Sequence, residues 1–249
     1  MRKTAFVLAL VLSIPGAAAA QDWDLYTNIQ DGFKVNFPGQ PQIAETTWAS
    51  QLDYTLPARV YSAQRGNERY SVTVVDYRPI EKLGEERAKN CPPGNSNCRP
   101  GAPPTLGPGY WRHDERGALV YATFKMLQRD ADLTFLGWEW QDMVEGHILQ
   151  LTNRSDKSRT NAYIAMHDRR LYIFEGTVPD GYPEPALFQQ SVGWVDKDGN
   201  GIRYQILYSN SYHGLGVYPV PTYGAQGRGA GAGPAGAGGG GGQGGRGGQ

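Results

Sequence analysis

The sequence predicts an α+β fold in which consecutive strands form an antiparallel sheet and a few helices cover it. Two observations carry this. Short alternating or β-branched runs dominate residues 33–77 and again 133–176, and the helix-forming stretches are few and separate from the strand runs. No repeat recurs at a fixed period.

Phe33-Lys34-Val35-Asn36-Phe37 alternates apolar and polar, the period of a half-buried strand, and Pro38-Gly39 ends it. A hairpin partner is expected in the extended stretch 42–48. After an interruption at Leu56-Pro57, Ala58 to Gln64 is again extended, Arg65-Gly66-Asn67 reads as a turn, and Tyr70 to Tyr77 is rich in β-branched and aromatic residues. The first third is therefore expected to be a meander. Ile80 to Lys89 has helix-forming content weakened by Gly84, and residues 91–109 read as a long irregular loop.

Trp111 to Gln128 fits two descriptions. Leu119, Tyr121, Phe124 and Leu127 recur at near-helical spacing, while the run ALVYATF suits a buried strand; length favours helix. Strands follow at about 133–140, 146–153, 159–166 and 170–176, with Ser155-Asp156 and His167-Asp168 as turn residues. Pro185 to Val192 reads as a helix, Asp196 to Gly201 as a tight turn between helix and strand, and Ile202 to Ser209 as a last strand.

The N-terminus has the pattern of a cleavable secretory signal. Arg2 and Lys3 precede an apolar run from Ala5 to Ile14, then Pro15-Gly16 and the small residues Ala17 to Ala20. The run is about half the roughly 20 residues that a membrane helix needs. No later stretch is long and apolar enough, so the mature chain is expected to carry no transmembrane segment and to be periplasmic or secreted. Cys91 and Cys98, in CPPGNSNC, are expected to form a disulfide in that oxidising compartment. Such a bridge closes a short loop and contributes at most about 2.5 kcal/mol. The C-terminal stretch 224–249 has 15 glycines in 26 residues, nothing to bury, and is expected to be a flexible tail. Residues 21–223 remain as one domain.

Twenty-four basic and 24 acidic side chains leave no formal net charge, which argues against a nucleic-acid binder despite Arg228 and Arg246 in an Arg-Gly setting. Asn153-Arg154-Ser155 matches the glycosylation acceptor and is taken as a chance match.

DGFKVNFPGQPQ resembles the start of PsbP-like domains, the fold shared by an extrinsic photosystem II subunit, Mog-type Ran-binding proteins and many exported bacterial proteins of unknown role. RRLYIFEGTVPDG followed by ALFQQSVGWV is similar to that family's Leu-Tyr strand and its helix with a Phe leading toward a Ser. The loop with Cys91 and Cys98 and the Gly-rich tail depart from the pattern. The resemblance implies an α/β/α sandwich around an antiparallel sheet of about six strands, and it implies no activity.

The chemistry-bearing residues give no catalytic, cofactor or metal site. Gln190-Ser191-Val192-Gly193 approaches a nucleophile elbow, but Gln189 stands where its first glycine belongs. His113, His147, His167 and His213 have no metal-ligand spacing and read as surface or partly buried residues. Asp196-Lys197-Asp198-Gly199-Asn200-Gly201 copies half a calcium loop, yet its twelfth position is Leu207. Glu85-Glu86, and Asp142 with Glu145, read as solvated carboxylates. Trp138 and Trp140 share one side of a strand, and Tyr204, Tyr208, Tyr212, Tyr218 and Tyr223 crowd the domain's end; both groups are candidates for a binding strip or for core. The expectation is an exported, non-enzymatic binding or accessory protein of the periplasm or cell envelope, its partner an envelope protein or small ligand. An envelope hydrolase with a site assembled from distant residues is the alternative. A polar cleft with perturbed carboxylates favours the second, and an exposed apolar patch the first.

Overall fold

The computed structural model describes residues 23–90 and 111–209. The signal stretch, Cys91 and Cys98 with their loop, His213, the last three tyrosines and the Gly-rich stretch all lie outside the described residues.

The elements run β1 (Trp23–Asn28), β2 (Phe33–Pro38), β3 (Gln42–Ala49), β4 (Thr55–Arg65), β5 (Glu68–Asp76), α1 (Ile80–Lys89), α2 (Trp111–Leu127), β6 (Ala131–Gln141), β7 (Val144–Asn153), β8 (Arg159–His167), β9 (Arg170–Val178), α3 (Ala186–Gln189), β10 (Gly193–Val195) and β11 (Gly201–Ile202). Seven strands form one antiparallel sheet in the order β3-β4-β5-β9-β8-β7-β6. Four form a second, β1-β2-β10-β11.

The expected α/β/α sandwich of six strands is corrected to three layers: small sheet, large sheet, helices. One face of the large sheet packs Tyr61, Val72, Val74, Tyr163, Tyr172 and Phe174 against Phe33, Val35, Phe37 and Trp194 of the small sheet. Its other face packs Leu149, Ala162, Ile164, Leu171 and Ile173 against Ile80, Trp111, Ala118, Ala122 and Met126. This two-sided burial explains why β8 and β9 read as continuous apolar runs, while β5 keeps its alternation over Tyr70, Val72 and Val74. Phe188 of α3 joins the core between the sheets.

Several finer expectations change with this architecture. The hairpin expected at Pro38-Gly39 is a sheet change: β2 pairs with β1 and β10, whereas β3 pairs with β4 in the large sheet. Leu56-Pro57 does not interrupt β4. Pro57 faces Thr47 of β3 and lies just beyond the stretch that β5 covers, so its missing N–H leaves no gap in that second ladder. The helix expected over 185–192 shrinks to the single turn α3. The strand expected over 202–209 is β11 alone, followed by an isolated bridge from Tyr208 to Val144. The calcium-like stretch is the turn of the β10–β11 hairpin, not a helix-to-strand turn. Asp196 Oδ1 accepts the N–H groups of Asp198 and Asn200, and Gly199 sits at φ +84°.

Helix α1 keeps the expected bounds, and its Gly84 has a packing reason. A Cβ there would lie 2.8 Å from Trp111 Cδ1, so the glycine lets α1 and α2 approach.

Candidate binding surface

The site begins with an inversion in α2. Its buried positions are Trp111, Asp114, Glu115, Ala118, Ala122, Thr123 and Met126, spaced three and four apart, and in the middle turns they are mostly small. Ala118 and Ala122 let the helix axis close on β7, β8 and β9. The large apolar residues face out instead: Val120 is 64% exposed and Phe124 53%, with Leu127 beside them. Phe124 and Leu127, part of the spacing that signalled the helix, lie on this outer face.

Polar anchors hold α2 in that orientation. Asp114 Oδ2 accepts the Ser50 hydroxyl and, at 2.9 Å, the Leu52 N–H. Glu115 takes a forked ion pair from Arg169, at 2.9 and 3.0 Å. Burial raises both carboxyls above their ordinary range, while these partners pull them back. Thr123 Oγ1 donates to the Leu119 carbonyl at 2.9 Å and lies 2.8 Å from His147 Nδ1 on β7.

Strand β6 completes the surface. It ends the large sheet, and α2 rests mainly on β7, β8 and β9, so that the large side chains of β6 stay about half exposed. Leu133, Leu136 and Trp138 stand opposite Leu151, Leu149 and His147, so they share the helix side of the sheet. Trp140 follows on the same side, its ring centroid 4.9 Å from that of Trp138, which is 53% exposed. Phe135 points to the other side, over Gly137: a Cβ at Gly137 would sit 2.9 Å from Phe135 Cζ. Between α2 and β6 lies a groove of about 390 Å³ lined by Val120, Thr123, Phe124, Leu127, Leu136 and Trp138, with His147 at its floor. Leaving out Phe135 on the other side, seven large side chains on these two elements are about half exposed; at about 150–250 Å² for a fully exposed aromatic, they present roughly 600 Å². That equals the upper size of the largest patch on a typical monomer.

A second concavity, about 820 Å³, covers the polar part of the same sheet face beyond the end of α2. Its lining includes Gln42, Ser62, Gln64, Arg69, Thr160 and Thr177. Its carboxylates are engaged: Glu175 receives Arg129 at 2.5 and 3.0 Å, and Asp156, held low by the Ser158 hydroxyl and N–H, closes its own turn.

The remaining candidates are scattered. His113 is exposed on α2, His147 half-buried, and His167 only 3% exposed. His167 is therefore neither a surface nor a turn residue: it ends β8, and Asp168 and Arg169 make the turn at φ +47° and +57°. Tyr204 and Tyr208 are buried around it, not part of an exposed strip. Ser191 follows α3, donating to the Phe188 carbonyl and accepting the Asn36 N–H. Glu85 and Glu86 are exposed, whereas Asp142 turns the β6–β7 hairpin and Glu145 accepts the Ser209 hydroxyl. No three His, Cys, Asp or Glu side chains converge on a metal position among the described residues. No helix among them is long and apolar enough to cross a membrane.

These features define a three-layer α+β domain with one large apolar face at the edge of its larger sheet. Its shape is similar to the solution structure of cyanobacterial PsbP (CyanoP) from Synechocystis sp. PCC 6803, with 12% sequence identity and a TM-score of 0.39 over 74% of this chain and 98% of that one. That is the family the sequence resembles. The similarity is one of shape at low identity and says nothing of what the chain binds. No family model matches the sequence, and a search of curated proteins finds no match.

Proposed function

We propose that this chain is an exported, non-enzymatic binding or accessory protein of the periplasm or cell envelope, and that it takes an apolar partner on the α2–β6 face. The observation that carries the reading is the outward set of Val120, Phe124, Leu136, Trp138 and Trp140. A patch at the upper end of what monomers expose is often functional, and aromatic side chains are enriched at the centres of interfaces. The signal-like N-terminus supports the compartment. The hydrolase alternative gains nothing from the polar concavity, whose carboxylates Glu175 and Asp156 are both engaged as ion-pair and turn partners.

The test is capture from envelope extract by the mature chain and by a Phe124→Glu, Leu136→Lys variant. Both side chains are exposed, so the variant keeps its melting temperature. A partner held by the unmodified chain is expected to fall by about tenfold or more on the variant. Equal retention by both chains, or no stoichiometric partner, contradicts the proposal.

A further inference from the structure

The chain passes out of the described residues beside the apolar face. Tyr208 forms a parallel bridge with Val144 at the start of β7: its carbonyl accepts the Glu145 N–H at 3.0 Å, and its own N–H donates to the Met143 carbonyl at 2.7 Å. Ser209 is the last described residue, and its hydroxyl donates to the Glu145 carboxylate. Glu145 stands directly opposite Trp140, so the two side chains share the helix side of the sheet. Ser209 is thereby held on the side that carries the groove, at its Trp140 end. The bridge also fixes a direction. Because it is parallel, the chain leaves along the course of β7, and from Glu145 onward β7 passes Trp140, Trp138, Leu136 and Leu133 in turn. That row is about 24 Å of strand. Residues 210–223 are 14 in number and span at most about 46 Å. Their composition suits the groove: they include no Asp, Glu, Lys or Arg, and they carry Tyr212, Leu215, Val217, Tyr218, Val220 and Tyr223.

We propose that residues 210–223 of the same chain lie along the α2–β6 face and cover it in part when no partner is bound. The proposal rests on reading that face as an interface and adds its regulation: an outside partner binds by displacing the chain's own segment. Place, direction, reach and composition select this occupant together. Burial of apolar surface on both sides drives the contact. A tether this short supplies an effective concentration on the order of millimolar, so an affinity of the same order covers the face about half of the time. Gly214 and Gly216 oppose tighter cover, because glycine loses the most backbone freedom when it is ordered. The face therefore stays open to a partner that binds more tightly than millimolar, at a cost of about twofold in apparent affinity.

Hydroxyl-radical footprinting of the purified mature chain tests this, against a full-length variant with Leu215→Asp, Val217→Asp and Tyr218→Asp. Trp138 and Trp140 are expected to oxidise about twofold faster in the variant, with Tyr182 unchanged. The ratio is expected to hold from about 1 to about 100 µM, because a contact within one chain does not depend on concentration. Leu215→Ser, Val217→Ser and Tyr218→Ser together repeat the comparison if the aspartates lower the melting temperature. Equal rates in the two chains overturn the proposal. So does a difference that vanishes on dilution, which would assign the cover to a second copy. Envelope capture separates this failure from failure of the interface reading. Equal rates with a captured partner remove the segment and keep the partner, whereas faster oxidation in the variant with no captured partner keeps the segment and removes the partner.

Discussion

Replacing Asp31 with alanine is expected to lower the unfolding free energy by about 3 kcal/mol, the low end of the range for breaking a buried ion pair. Asp31 sits in the β1–β2 turn and is 1% exposed. Its carboxylate accepts Arg59 Nε at 2.7 Å, Arg59 Nη2 at 2.5 Å and the Tyr61 hydroxyl at 2.6 Å, both residues belonging to β4 of the other sheet. Its carbonyl accepts the Tyr172 hydroxyl of β9, and its N–H donates to Asn28 Oδ1. One residue therefore ties the small sheet to two strands of the large one. The hydrogen bond to Asp31 raises the Arg59 guanidinium further above its ordinary range; burial, followed by the same carboxylate, raises the Tyr61 phenol. The low end applies because the Arg59 side chain is 22% exposed and water screens part of its charge once it is unpaired. Asp31→Asn keeps the shape and one acceptor and is expected to lose about half as much. Urea unfolding of the three proteins checks this, and a loss below about 1 kcal/mol for the alanine variant would show that the turn does not join the sheets.

The second large effect is a loss of stability in mild acid. His167 lies among Trp194, Tyr208, Tyr204 and Tyr172, with ring centroids 4.5, 5.0, 5.6 and 6.5 Å away. Nε2 meets the Tyr204 hydroxyl, and Nδ1 has no partner among the described residues. Burial, reinforced by the nearby Arg170 charge, lowers its pKa to about 3. The unfolded chain binds a proton at His167 below the ordinary value of about 6.5, whereas the folded chain does not. Stability is thus complete above that pH and falls by about 1.4 kcal/mol per unit as the pH drops, until the folded site itself titrates. From pH 6.5 to pH 5 the loss is about 2 kcal/mol. His147, also lowered by burial, adds in the same direction. Asp114 and Glu115 act in the opposite sense at lower pH, because their raised values make protonation favour the folded form. A His167→Gln variant isolates the effect: its unfolding free energy is expected to vary less steeply over this window, by about 1.4 kcal/mol per pH unit. An unchanged slope would mean that the imidazole is solvated in the folded state.

The fold was legible where pattern and neighbourhood coincide. The alternation of β2 and β5, the turns at Gly66 and Asp156 and the bounds of α1 and α2 all follow from local signals. The second sheet was not legible. Beyond the β1–β2 hairpin it is made by pairing Phe33 of β2 with Trp194 of β10, residues far apart in sequence, and a three-residue strand carries no periodicity. The preference for sequential pairing then assigned β2 a hairpin with β3. The candidate surface was half legible. Trp138 and Trp140 declared a common side, but the spacing of Leu119, Tyr121, Phe124 and Leu127 marked only a helix. Apolar periodicity shows that a helix has two sides, not which one meets the sheet, and here the alanines take the inner side because close approach needs small residues.

The most direct test of the α2–β6 face is hydroxyl-radical footprinting of the chain in intact producing cells against the purified chain at high dilution. Trp138 and Trp140 are expected to oxidise at least about fivefold more slowly in the cell, because an interface that excludes water shelters its aromatic centre. Tyr182, exposed to a similar degree but remote in sequence from both elements, is the internal reference and is expected to react equally in the two settings. Equal oxidation of all three residues in cell and solution would contradict the account, because the face would then be as open to water where the protein works as it is alone.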